Sequence, residues 1–243
     1  MIDFIHIGDY KTGTSWLQKF YYPRHPSIHY LGGPFQNDQL EHLLHKLIDS
    51  RDLDFDALSI RDEIQKHILK DEVRSHGICR EVFCATNFIT GENAKQNAER
   101  LLSVFGPVKI IFVIREQFSM LASIYSQYLK MGGTLSLRKF IFDPIICKGL
   151  IERLKWHKPV GMYYSIFGKQ NVHVKLYEQF KNTKQTFLDD ISNFLQIPSF
   201  HPEETNQTVN KSLSKVGHTF LDVLIMHFAV CTTLPAKFCH SIS

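Results

Sequence analysis

A lysine inside a short glycine-bounded turn, Gly8-Asp9-Tyr10-Lys11-Thr12-Gly13-Thr14-Ser15-Trp16, is the part of this chain best suited to chemistry. An apolar run, Ile2 to Ile7, leads into it, and a helical pattern starts near Gly13. A strand, a tight turn and a helix start together make an anion cradle. The first N–H groups of the helix point outward, and its macrodipole adds about half a positive charge. The phosphate-binding Walker A loop reads Gly-x-x-x-x-Gly-Lys-Ser/Thr. Gly8 and Gly13 keep that spacing and Ser15 fills the last place, but Thr14 stands where the lysine belongs. The cation sits instead at Lys11, inside the turn. An enzyme acting on nucleoside triphosphates would have lost its key lysine, so the pattern argues for another phosphate-bearing ligand.

A second cluster fits the same chemistry. Pro107 to Ile114 is a nearly continuous apolar, β-branched run, as expected of a strand buried on both faces. It ends at Arg115. From Gln117 onward Phe118, Leu121, Ala122, Tyr125 and Leu129 recur at helical spacing, which puts Ser123 two turns into the following helix. Arginine presents a planar fork to a phosphate dianion, and a hydroxyl one helix away adds a further donor.

With both clusters in view, Lys11-Thr12-Gly13-Thr14-Ser15-Trp16 resembles the 5′-phosphosulfate loop of sulfotransferases that use 3′-phosphoadenylyl sulfate (PAPS). Arg115 and Ser123, eight residues apart, resemble the family's 3′-phosphate site. Many members carry Asp-Pro after this arginine and a second arginine four residues on. Glu116-Gln117 and Ser119 stand here, closer to bacterial members. Asn171 to Glu178, a short strand pattern ending in Tyr-Glu, resembles the family's late strand–helix unit. Asn210-Lys-Ser-Leu-Ser214 resembles a segment near the donor in bacterial members. The likeness spans roughly residues 2 to 215, with sharp motifs at two places.

The resemblance implies an α/β fold of three layers around a central parallel sheet, similar to P-loop NTPases. It implies transfer of a sulfonate from PAPS to a hydroxyl or amine, with carbohydrate the favoured acceptor and lipid, peptide or small alcohol open. Lys11, Thr12, Gly13, Thr14, Ser15, Trp16, Arg115 and Ser123 would bind the donor, and Lys11 would also be catalytic. Where relatives often carry Ser-Ser-Glu near the second strand, this chain has Ala85-Thr86-Asn87, so the general base is unassigned. Glu81, His29 and His42 are its candidates, but Glu81 reads first as a solvated strand residue or one paired with a partner such as Arg80. Two alternatives stand beside this reading. One is a P-loop kinase or nucleotidase, which Thr14 and Arg115 serve poorly. The other is a non-catalytic module, either a degenerate fold that binds PAPS without catalysis or a purely structural partner protein.

These motifs need elements to hold them. Periodicity predicts strands near 2–7, 77–85, 107–114 and 171–177, and helices near 13–21, 38–49, 56–74, 91–105, 117–131, 148–168, 183–195 and 212–229. Alternation of the two implies a parallel sheet covered on both faces, with ligands beyond the carboxyl ends of its strands. The chain reads as one domain over 1–243. Residues 22–76 show no strong strand and are expected to be a helical insertion that could wall the acceptor site. Residues 200–243 are expected to be a C-terminal segment shorter than in other members.

Composition bounds the rest. The 243 residues suffice for one α/β core, with 44% hydrophobic and 21% charged residues as in ordinary globular proteins. A net charge of +4 suits a polyanionic donor, but no basic run points to nucleic acid. The thirteen histidines lack paired ligand spacing, so no metal site is expected, and His42 and His45 are expected to share a helix surface. Five cysteines without a CxxC motif argue against a disulfide framework, and Cys79 and Cys84 are expected in the core. No signal peptide is expected ahead of the first strand. No apolar stretch reaches the ~18 residues of a membrane helix, and Phe220 to Val230 is the best candidate. The cytoplasm is the expected compartment. Oligomeric state is silent.

Overall fold

The structure is a computed structural model and describes residues 2–32, 38–68 and 74–203. Among the described residues, five parallel strands form one sheet: β1 Phe4–His6, β2 Ile28–Gly32, β3 Ser75–Cys79, β4 Lys109–Ile114 and β5 Val172–Leu176. Their order is β2-β3-β1-β4-β5. Register pairs His6 with both Cys79 and Ile111, and Ile114 with Leu176. From β1 the chain crosses toward β2, and from β4 toward β5. The crevice between the carboxyl ends of β1 and β4 is therefore the switch point where such sheets bind ligands.

Alternation along the strands sorts side chains to two faces. Ile5, Ile7, Ile110 and Phe112 face a cluster shared with α2 Asp38–Asp49, α3 Ala57–Gln65, α4 Ala94–Phe105 and α8 His157–Phe167. Phe4, Ile111 and Val113 face the other cluster, where Leu17, Tyr21 and Tyr22 meet Phe187, Leu188 and Ile191 of α10 Lys184–Leu195. This is the expected three-layer α/β arrangement. Phe112 is fully buried, and its truncation to alanine would cost about 3–5 kcal/mol. A third apolar cluster binds α5 Gln117–Lys130, α6 Leu137–Phe142 and α7 Pro144–Leu154 through Leu121, Tyr125, Phe140, Leu150 and Leu154.

Several expectations are corrected. Residues 22–76 are not purely helical, because β2 lies among them as the sheet's edge strand. Its five residues include His29 and run into Gly32-Gly33, so the segment reads as a turn. Tertiary contact supplies what periodicity lacks, including Tyr30 stacked on Tyr22 at 5.5 Å. The strand expected over 77–85 ends at Cys79, and Glu81–Phe83 form a 3-10 turn. The helix expected over 148–168 is two, α7 and α8, broken at Lys155 and Trp156. Pro159, which lacks an N–H, falls in the first turn of α8.

The helix after the Lys11 turn runs as α1 Thr14–Trp16, then a π-helical turn Leu17–Tyr21, then a 3-10 turn Tyr22–Arg24. The widened turn directs two consecutive tyrosines inward. Tyr21 Oη lies 2.9 Å from Ser192 Oγ, and Tyr22 Oη lies 2.8 Å from His6 Nδ1. Neither α6 nor α9 Tyr177–Asn182 is foreseen by the periodicity. The helix expected over 212–229, the Asn210–Ser214 motif and the Phe220–Val230 segment lie outside the described residues.

Candidate active site

β1 ends at His6, and the chain leaves the sheet beside β4. Ile7 N–H donates to Ile111 O at 3.0 Å and Asp9 N–H to Val113 O at 3.3 Å. The turn that follows contains two left-handed residues, Lys11 at φ 66° and Gly13 at φ 83°. Glycine adopts that conformation without steric cost, whereas lysine does not. At Gly13 a side chain would also meet Phe180 at 3.1 Å and Tyr177 at 3.2 Å. Gly13 O accepts from Trp16 N–H at 3.1 Å, which starts the helical run.

Arg115 follows the carboxyl end of β4, the neighbouring strand. Its Nη1 donates to Lys11 O at 3.0 Å, so the two sequence motifs touch. Its Nε donates to Ser119 Oγ at 2.9 Å, and its guanidinium lies 4.7 Å from the Tyr177 ring centre. Ser123 is half-buried one helical turn beyond Ser119, hence on the same face of α5. Glu116 caps α5, accepting from Phe118 N–H at 2.8 Å and Ser119 N–H at 2.7 Å. Ser119 and Tyr177 are the residues here that the motifs did not single out. The Tyr-Glu strand end was the only signal for the second.

The hydroxyls divide into committed and available. Buried Thr12 donates to Asp9 O, and buried Thr14 donates to the Glu81 carboxylate. Ser15 is half-buried at the helix start, where the Thr14 and Ser15 N–H groups precede the first bond of the helix, made by Trp16 N–H. The half-buried Trp16 ring packs on Phe180 at 5.3 Å and Phe20 at 5.7 Å, with the Lys184 ammonium 4.7 Å away. Burial lowers the Lys11 pKa, and Lys130 and Arg115 lower it further against the pull of Glu81.

Of the base candidates, Glu81 lies at this edge. Arg80 turns away from it to grip Glu41 on α2, with Nη1–Oε distances of 2.6 and 2.5 Å. Burial raises the Glu81 pKa, opposed by the Thr14 hydroxyl and by Lys11. His29 packs on His76 at 5.2 Å, near the amino end of β3, and His42 is exposed on α2. His45 is exposed on the same helix, and Cys79 and Cys84 are buried, as expected. Among the described residues no cluster of metal-ligating side chains occurs, and no helix is long and apolar enough to cross a membrane.

The Lys11 turn, the Arg115 guanidinium and the Glu81 carboxyl group thus meet at one edge of the sheet. The chain is similar to a sulfotransferase from Alicyclobacillus acidocaldarius, with 18% identity, 95% of this chain and 92% of that chain covered, and a TM-score of 0.61. It is also similar to the sulfotransferase domain of the Synechococcus PCC 7002 olefin synthase, with 13% identity, 94% of each chain covered, and a TM-score of 0.51. These likenesses concern the fold. No curated protein matches the sequence significantly. The sulfotransferase domain family matches residues 2–216, and the parallel α/β architecture of this chain matches that of the solved sulfotransferase structures. The chain belongs to the sulfotransferase domain family.

Proposed function

We propose that this protein transfers a sulfonate from PAPS to a hydroxyl or amine, with a carbohydrate the favoured acceptor. The observation that carries the reading is the 3.0 Å contact between Arg115 Nη1 and Lys11 O. It brings two anion-binding motifs to one crevice, as a donor with phosphate at both ends of an adenosine requires. PAPS supplies the activated sulfonate and a leaving phosphate on which negative charge grows. Lys11 meets that charge, and the turn's N–H groups with the Ser15 hydroxyl hold the 5′ end. The hydroxyls of Thr12 and Thr14 instead brace the turn from within. Arg115, backed by Ser119 and Tyr177, holds the 3′-phosphate with Ser123, and Trp16 offers a ring for the base.

Glu81 is our choice for the general base. Its carboxyl group is desolvated and lies beside the turn, which suits a group that must accept a proton near neutral pH. Positioning and electrostatics carry the remaining barrier.

Thermal shift with 3′,5′-adenosine bisphosphate, 5′-AMP and ATP tests the donor. At a hundredfold excess over its dissociation constant a native-state ligand adds ~2.7 kcal/mol. Selective stabilisation by the bisphosphate is expected. An equal response to all three, or a Mg²⁺-dependent preference for ATP, would overturn the reading.

A further inference from the structure

Asp9 and Arg153 form an ion pair that none of the roles above uses. Asp9 is 0% exposed and Arg153 8%. Arg153, at the end of α7, donates through Nη2 to Asp9 Oδ1 and through Nε to Asp9 Oδ2 at 3.3 Å. Its Nη1 donates to Phe88 O. Asp9 Oδ1 also accepts Tyr10 N–H at 2.7 Å, and Asp9 O accepts the Thr12 hydroxyl. The Tyr10 ring lies 5.6 Å from the Arg153 guanidinium and 6.0 Å from the Phe88 ring. One guanidinium thus joins the turn after β1, the segment after β3, and α7.

Three residues further on, the same segment reaches the second motif. Trp156 Nε1 donates to Arg115 O at 2.8 Å. Arg153 therefore holds the Lys11 turn while Trp156 holds the residue after β4. Lys11 has a left-handed backbone, which persists in a non-glycine residue only where its surroundings over-determine it. Asp9 and Thr12 bracket Lys11, and Arg153 anchors Asp9. A buried ion pair is poor evidence of net stabilisation, since apolar replacements often do as well. What this pair supplies is a fixed location.

We propose that Arg153 and Trp156 are positioning residues that form one clamp, setting the distance between the Lys11 turn and Arg115 and so selecting a ligand phosphorylated at both ends. The clamp rests on the two-anion reading of the site. Trp156→Phe keeps the ring and removes one hydrogen bond. Arg153→Lys keeps the charge and loses the fork, and Arg153→Met removes both.

The test measures affinity for 3′,5′-adenosine bisphosphate and for 5′-AMP, with kcat and KM for PAPS, in wild type and the three variants. Trp156→Phe and Arg153→Met are expected to lower the bisphosphate-to-monophosphate affinity ratio about tenfold. They should also lower kcat about 100-fold, as small misplacements do, with Arg153→Lys intermediate. A merely structural role would lower melting temperature and leave the ratio unchanged, and that result overturns the clamp. If Arg153→Met fails to fold, Trp156→Phe and Arg153→Lys carry the comparison. If wild type ignores the bisphosphate, the donor reading fails by itself. Hydrogen exchange of the ligand-free protein then decides for the clamp: faster exchange over residues 9–15 in Trp156→Phe and Arg153→Lys, with β4 unchanged, supports it, and unchanged exchange overturns it.

Discussion

Arg115 donates through Nη1 to the carbonyl oxygen of Lys11 at 3.0 Å, so the cation that closes β4 braces the backbone of the cation that follows β1. Two positive side chains share one crevice, and their like charges repel. Burial, Lys130 and Arg115 all disfavour the Lys11 charge, which an arriving anion would relieve.

Replacing either cation should separate binding from chemistry. Lys11→Ala is expected to lower kcat about 10²- to 10³-fold, since in the proposed reaction Lys11 meets the charge that grows on the leaving group. Arg115→Ala should weaken 3′,5′-adenosine bisphosphate by about 1.5–3 kcal/mol and 5′-AMP far less. Ser119→Ala, which removes the prop on Nε together with the hydroxyl's own 3.0 Å bond to Glu116 O, should cost about 0.5–1.5 kcal/mol of the same affinity. Steady-state kinetics and calorimetric titration check these values. Near-normal turnover in Lys11→Ala would refute its catalytic role.

The activity profile should be bell-shaped and narrower than free side chains would give. Glu81 must be ionised to act as a base, and burial raises its pKa, so the acid limb should rise above the ordinary carboxylate range. Lys11 must be protonated, and burial lowers its pKa, so the alkaline limb should fall below the ordinary lysine value. Glu81→Gln should abolish the acid limb. If that limb persists unchanged in the variant, Glu81 is not the base.

Gly13→Ala should destabilise the fold as well as the site. The left-handed backbone costs about 1–2 kcal/mol with a side chain, and the added methyl meets Phe180 at 3.1 Å. At about 2–4 °C per kcal/mol, melting should drop by several degrees. Gly106→Ala, at φ 75° and ψ −162° with open space around it, probes a different, glycine-only backbone region, where the cost of about 1–3 kcal/mol comes without a clash. An unchanged melting temperature in Gly13→Ala would mean that neither the left-handed backbone nor the packing of α9 on the turn constrains this position.

His6 should make the protein acid-sensitive. Burial lowers its pKa from 6.5 to about 3, so the folded state keeps it neutral while the unfolded chain protonates it. That contribution is complete above pH 6.5 and is lost as pH falls toward about 3, at about 1.4 kcal/mol per pH unit. Denaturant unfolding between pH 6.5 and 4 should show a steeper fall for wild type than for His6→Gln. Parallel curves would contradict the assignment.

Local pattern was enough for the elements that anchor the motifs. β4 is continuous and apolar because both of its faces are buried, and α5 shows its periodicity because one side packs on α6 and α7. β2 was hidden because its five residues carry a histidine and end at a glycine, and pairing with β3 supplies its stability. The break at Trp156 was hidden for a similar reason, since the partner of its indole is Arg115, far away in sequence.

Glu81 illustrates the same limit inside the site. Its neighbours in sequence allow a pair with Arg80, yet Arg80 is taken by Glu41, and Glu81 meets Thr14 from the turn. Asp9 and Arg153 have no local pattern linking them at all.

Residue order alone determined the two anion motifs, their places at strand ends and the parallel α/β class, because turn chemistry and apolar periodicity are short-range. Only the tertiary structure decided that the motifs share one crevice, which hydroxyls are spent on internal bonds, and which carboxylate stands beside Lys11. Those outcomes depend on strand order and on buried partners distant along the chain, and no local spacing encodes them.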